Sequence, residues 1–381
     1  MIQIYLLILC LIYFVGYLLG VTYFPEVLEK TFNSSIPLDF NLIYVIFLVN
    51  LTLFLFSKLI PKTITNYSEE ILFGLNSVYV FLNIFLILIN LYLWMLNGFA
   101  FSLYGYSING AGLFNLLVVT YPLLNLIQTF NWQNLNVTSK IVFVIFLFSQ
   151  LIIIVLLGKR LEFLVLFAGP LALIYSILSL RMKITSIFAI LCLFSIYSII
   201  RVSGNFSIVQ LLTAAINEFY LASIGLGKVQ LLSTDAIAAY NYPQFWYGFM
   251  AILPDFISGK KLLYDHISSV RNVFSPYGAS SILVELKLGS RGGVLNLAVY
   301  YILFCCTIGV INMILIRLLG KIGIPAKISI LFSCLIILLN ARNGLIISIK
   351  NGTQAIIFLS LIITISFYIS QSKRFDNNVK N

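Results

Sequence analysis

The chain has 381 residues, 61% of them hydrophobic and only 9% charged, and its 23 lysines and arginines outnumber 12 aspartates and glutamates. A soluble domain carries about 25% charged residues, so a mean hydropathy of +1.05 excludes a water-covered surface and places the chain in lipid. The formal net charge of +11 then reads as topology and attraction to anionic lipid, because no basic stripe with interleaved aromatics offers a nucleic-acid surface.

In chain order, the first twenty residues, MIQIYLLILCLIYFVGYLLG, are apolar for long enough to span. They have no basic leader and no small-residue cleavage site, which predicts an uncleaved first helix. A span takes about 20 apolar residues. Roughly ten segments qualify: 2–22, 38–57, 71–96, 111–130, 141–157, 163–180, 184–200, 293–316, 326–340 and 352–370. The fourth holds Pro122 and several asparagines, and the ninth is short. The five cysteines, Cys10, Cys192, Cys305, Cys306 and Cys334, all lie in apolar runs without metal-ligand spacing. They read as small fillers. The expectation is an all-α polytopic membrane protein, one integral membrane domain over 1–381, with no internal repeat and no appended soluble domain.

Residues 201–292 interrupt the series. A connection this long is usually functional or disordered, and its composition is not that of a disordered segment. It contains NYPQFWYG (241–248) and FSIVQLLTAAINEFYL (206–221), which predict short helices on or in the membrane face.

Orientation follows from the basic residues. With the C-terminus inside, the inner connections and tail hold Lys58, Lys62, Lys140, Arg181, Lys183, Arg317, Lys321, Lys327, Lys373, Arg374 and Lys380. The short outer connections hold only Lys30, Lys159, Arg160, Arg342 and Lys350. The excess puts both ends inside and the long connection outside.

The outer basic residues run against that trend and so need another reason to be there. LLGKRLEF places Lys159 and Arg160 at an outer edge, and LLNARNGLIISIK places Arg342 at another. The long connection adds Arg201, Lys260, Lys261, Arg271, Lys287 and Arg291. A single arginine at a span end only snorkels to headgroups. A set arriving from three connections points to a ligand, and the planar fork of arginine suits a phosphate or diphosphate. PYGASSILVELKLGSRGG (276–293) adds Glu285 where apolar sequence resumes. A partly desolvated glutamate accepts a proton near neutral pH and can activate a sugar hydroxyl, although an ion pair with Lys287 or Arg291 explains it equally well. His266, the only histidine, stands beside Asp265 as a second candidate base. Asp255, Asp235 and Glu218 are further polar candidates. Tyr240, Tyr242, Phe245, Trp246 and Tyr247 either stack on sugars or form an interfacial belt. P-loop, GxSxG, HExxH, CxxC and Asp-x-Asp motifs are absent, so neither a metal nor a nucleotide-sugar donor is expected.

These segments resemble the Wzy-type polymerases of O-antigen and capsule repeat units. LLGKRLEFLVLFAGPLALIYSILSLRMKI (156–184) resembles the family's arginine-bearing turn and inner basic loop. LPDFISGKK (253–261) and PYGASSILVELKLGSRGG resemble its long-loop and re-entry segments, and NARNGLIISIK (340–350) its late arginine. The resemblance covers residues 150–350. It departs where the family often reads Glu-x-Tyr-x-Asn-aromatic-Gly, since here the run is Glu285-Leu286-Lys287-Leu288-Gly289-Ser290.

The resemblance implies a GT-C-like fold in a bacterial inner membrane, with the long loop in the periplasm. It implies transfer of a glycan from undecaprenyl diphosphate to the sugar hydroxyl of another lipid-linked repeat. No cofactor is implied; a chain-length regulator is a candidate partner. Glu285, His266, Arg160 and Arg291 would be the catalytic residues. Arg342, Arg271, Lys159, Lys287, Tyr247 and Trp246 would bind substrate. Three rivals remain open: an O-antigen ligase using His266, a flippase or transporter with polar residues lining its spans, and a structural membrane protein without catalysis.

Overall fold

A computed structural model describes residues 72–99, 111–157, 178–185, 293–326, 328–332 and 345–380, with isolated positions at 41–48 and 189. Every regular element among the described residues is helical. The five long helices are α1 (Leu72–Leu96), α2 (Ala111–Phe130), α3 (Val137–Leu157), α4 (Val294–Lys321) and α5 (Leu345–Lys380). Among the described residues, four segments are long and apolar enough to cross a membrane: Leu75–Leu96, Val137–Ile154, Val294–Lys321 and Ser348–Gln371. The chain is therefore an all-α, membrane-embedded protein. It divides into two compact units, one of Met1–Thr63, Ile208–Ile311 and Ile337–Thr353, the other of Ile64–Ser207, Asn312–Ile336 and Gln354–Asn381.

In the second unit, α1, α2 and α3 form a bundle. The order of their paired residues fixes its directions. Asn83 and Asn90 of α1 meet Gln128 and Tyr121 of α2, so those two helices are antiparallel. Asn76 and Asn90 meet Asn136 and Ser149, at the start and the middle of α3, so α1 and α3 are parallel. The chain runs up, down and up. Each of these helices was expected as a span, and α2 takes the 111–130 bounds read from hydropathy in spite of Pro122. A proline inside a helix loses one backbone bond, a loss that membrane helices tolerate where neighbours re-satisfy the freed groups. Residues 121–128 of α2 are buried on every side, so this helix has protein rather than lipid around it at that depth.

Hydropathy placed two helix starts too late, for one physical reason. The beginning of α3, Val137–Lys140, sets three polar residues after one valine and so weakens an apolar window at its edge. Asn136 nonetheless caps it, its side-chain oxygen accepting the Ser139 N–H at 2.7 Å. The helix α5 begins at Leu345 rather than 352, and Lys350 therefore lies in its second turn instead of in a loop. Its Ser348 and Asn351 are buried, so the helix begins among protein groups that a lipid-transfer scale does not see.

The lipid-facing surface is apolar. Phe81, Phe85, Leu88 and Met95 of α1 and Ile141, Ile145 and Phe148 of α3 are exposed. Phe81 and Phe85, one turn apart, stack at 6.4 Å.

In the first unit, Gly352 of α5 receives Ile311 of α4. A Cβ built on Gly352 would lie 2.6 Å from Ile311 Cγ2. Small residues at such crossings let membrane helices approach closely, and a β-branched side chain in a helix has little rotamer freedom with which to retreat. Gly352→Ala should cost about 1–3 kcal/mol by overpacking. Ile311→Ala in the same chain should return part of that. Unfolding curves in detergent test this, and an unchanged midpoint for the single variant would refute it.

Candidate functional site

The bundle carries a column of neutral hydrogen-bonding groups. On α1 and in the turn that ends it, asparagines recur every seventh residue at 76, 83, 90 and 97, with Tyr79, Leu86 and Leu93 between them. This is the a/d pattern of a helix seam, and Tyr79, Asn83, Leu86, Asn90 and Leu93 are buried. From Asn76 to Asn97 the column rises about 32 Å at 1.5 Å per residue, comparable to the roughly 30 Å hydrocarbon core of a bilayer.

All levels but one are hydrogen-bonded. At one end the Asn76 amide donates to the Asn134 carbonyl and its oxygen accepts the Asn136 N–H, both at 3.4 Å. Next, the Asn83 amide donates to Gln128 Oε1 at 2.7 Å and accepts from Gln128 Nε2 at 3.0 Å. Asn125 and Gln150 make the same reciprocal pair between α2 and α3, at 2.8 and 3.2 Å. At Asn90 the bonds run across all three helices. The Tyr121 hydroxyl donates to Asn90 Oδ1, Asn90 Nδ2 donates to Ser149 Oγ at 2.9 Å, and Ser149 donates to the Phe146 carbonyl at 2.8 Å. The Tyr121 ring also meets Phe146 edge-on at 5.6 Å. At the far end the Asn97 amide donates to the Leu93 carbonyl at 2.7 Å. One level is incomplete: the Tyr79 hydroxyl and the Asn131 amide nitrogen lie together, buried, without hydrogen-bond geometry.

The column is built of uncharged groups. No aspartate or glutamate occurs between residues 71 and 161, and the amides are committed to one another. Their role is to hold three helices in one register. The seven-residue spacing was present in the sequence, and reading only for charge passed over it.

The described basic groups sit at helix ends. Lys140 Nζ lies 5.5 Å from the centre of the Trp132 ring, in the short turn between α2 and α3. Lys321 closes α4, where a cation favours the helix dipole. Arg181 is exposed on a short helical segment, and Arg317 is exposed one turn before the end of α4.

The residues expected to carry chemistry lie outside the described residues: Lys159, Arg160, Trp246, Tyr247, His266, Arg271, Glu285, Lys287, Arg291 and Arg342. The structure brings none of them together and separates none. What it does place is the bundle end that Lys159 and Arg160 follow in sequence. Because α1 and α3 are parallel, both finish at the same end, and Lys159 and Arg160 come two and three residues after the last residue of α3. No family model, curated protein or solved structure matches the chain.

Proposed function

We propose that this protein polymerises lipid-linked oligosaccharide repeat units at the outer face of a bacterial inner membrane. The observation that carries the reading is the outer basic set, Lys159, Arg160, Arg291 and Arg342, reached from separate connections against the positive-inside trend. The alternating directions of α1, α2 and α3 support the span count on which that outer assignment depends. The donor would be a glycan on undecaprenyl diphosphate. As the glycosidic bond to the diphosphate breaks, negative charge grows on the leaving group, and fixed arginines stabilise it without a metal. Glu285 or His266 would take the proton from the attacking hydroxyl of the acceptor sugar.

The flippase reading expects polar residues along the spans, and the bundle has them. They are uncharged and paired with each other, which favours a structural use. The ligase reading shares donor and outer face and differs in acceptor.

A glycan gel from cells lacking the protein distinguishes the three. Collapse of the ladder to one repeat on its carrier supports the polymerase. Polymer made but not joined to lipid A would mean ligase, and repeats trapped on the inner side would mean flippase. An unchanged ladder would remove the proposal.

A further inference from the structure

Two helices, α1 and α4, end in the same backbone device. At α1 the Phe99 N–H donates to the Trp94 carbonyl at 3.0 Å and the Gly98 N–H to the Met95 carbonyl at 2.9 Å. At α4 the Ile324 N–H donates to the Leu319 carbonyl and the Gly323 N–H to the Gly320 carbonyl, both at 3.1 Å. Each glycine takes the left-handed backbone, φ 66° at Gly98 and 82° at Gly323. Both are Schellman caps, in which the residue after the glycine makes an apolar contact with the helix's last turn.

The two caps then diverge. Ile324 and Leu319 are both buried. Phe99 meets Trp94 edge-on at 5.1 Å, yet the Phe99 side chain is 55% exposed. Phe99 is also the one non-glycine residue with positive φ among the described residues, at 54°. That region is unfavourable for a bulky side chain. A cap needs an apolar residue that covers the helix end, as Ile324 does. It needs neither strain nor an open ring. Strained residues held against their preference collect where a ligand is handled.

Position narrows the ligand. The apolar span of α1 ends at Leu96, so Phe99 stands just past it, at the edge of the bilayer. It is at the bundle end where α3 also finishes. The cap residues Asn97, Gly98 and Phe99 are uncharged, so they suit a neutral ring rather than the diphosphate. We propose that Phe99, backed by Trp94, stacks against a sugar ring of the lipid-linked repeat and positions it for transfer. The inference rests on the polymerase reading and adds to it a site for the glycan itself.

The test is Phe99→Gly in the full-length protein, purified in detergent, with lipid-linked repeat units as substrate. Glycine accepts positive φ without strain, so the Tm should hold or rise. The KM should rise about tenfold, the scale of one aromatic contact, with kcat little changed. Phe99→Tyr should keep the wild-type KM. An unchanged KM in Phe99→Gly, in a preparation where Arg160→Ala is inactive, would overturn the stacking role and leave the polymerase reading standing. A fall in Tm and a rise in KM that Phe99→Leu both repairs would also overturn it, since packing alone would then account for Phe99. If cells lacking the protein keep a normal ladder, the polymerase reading falls and this inference falls with it.

Discussion

Replacing Arg160, Arg291 or Arg342 by alanine is expected to reduce the polymer ladder to its first rungs while protein level in the membrane stays normal. A diphosphate leaving group concentrates charge in the transition state, and losing one fixed donor to such charge costs about 10²–10³-fold in rate. Lysine variants separate charge from geometry. An ammonium keeps the point charge and loses the two-pronged fork, so Arg→Lys at a bidentate position should restore the ladder only in part, whereas a snorkelling arginine should be replaced by lysine without effect. Band intensities on glycan gels, normalised to tagged protein, give the answer. Normal chain length in all three alanine variants would sink the mechanism. In the same assay Glu285→Gln and His266→Ala compete: whichever abolishes extension is the better candidate base, and loss in neither would leave proton removal to another group.

How much of this was legible in the sequence depends on the scale at which burial acts. The apolar runs that became α1 to α5 were all visible, because a helix in lipid must present apolar side chains over most of its length. The bounds of α2 were read correctly even though Pro122 and several asparagines, Asn125 among them, made it look like a poor span. Those residues are not defects: Asn125 and Gln128 are the groups that hold α2 to its neighbours. The early starts of α3 and α5 were missed because a hydropathy window registers neither a capping asparagine, which is a local signal, nor the burial of polar side chains, which is tertiary. The seven-residue asparagine period on α1 was readable. Its partners were not, since Gln128 lies 45 residues from Asn83 and Ser149 lies 59 from Asn90. The candidate catalytic residues were legible only as residue types at membrane edges. All of them lie outside the described residues, so their reading rests on sequence and chemistry.

The amide column makes a second prediction, in which two substitutions cost less than one. Asn83→Leu leaves both hydrogen-bonding ends of Gln128 buried without a partner, and Gln128→Leu does the same to Asn83. An orphaned buried polar group costs about 1–3 kcal/mol. Interhelical side-chain bonds in membrane proteins contribute a more modest ~0.6 kcal/mol on average, up to about 1.7. Each single variant should therefore lose more stability than the pair itself supplies. The double variant removes both polar groups, avoids the orphan, and should stand closer to wild type than either single variant. A double-mutant cycle in detergent isolates that coupling. Purely additive losses would mean that the two amides do not depend on each other, and would remove the register role assigned to the column. The same logic makes Asn90→Leu the most damaging single change. Asn90 joins Tyr121 of α2 to Ser149 of α3, so its loss orphans a hydroxyl on α2 and withdraws a donor from α3 at once. No substitution at one neighbour repairs both. Tyr121→Phe should rescue only part of the Asn90→Leu loss, whereas Gln128→Leu should rescue most of the loss at Asn83.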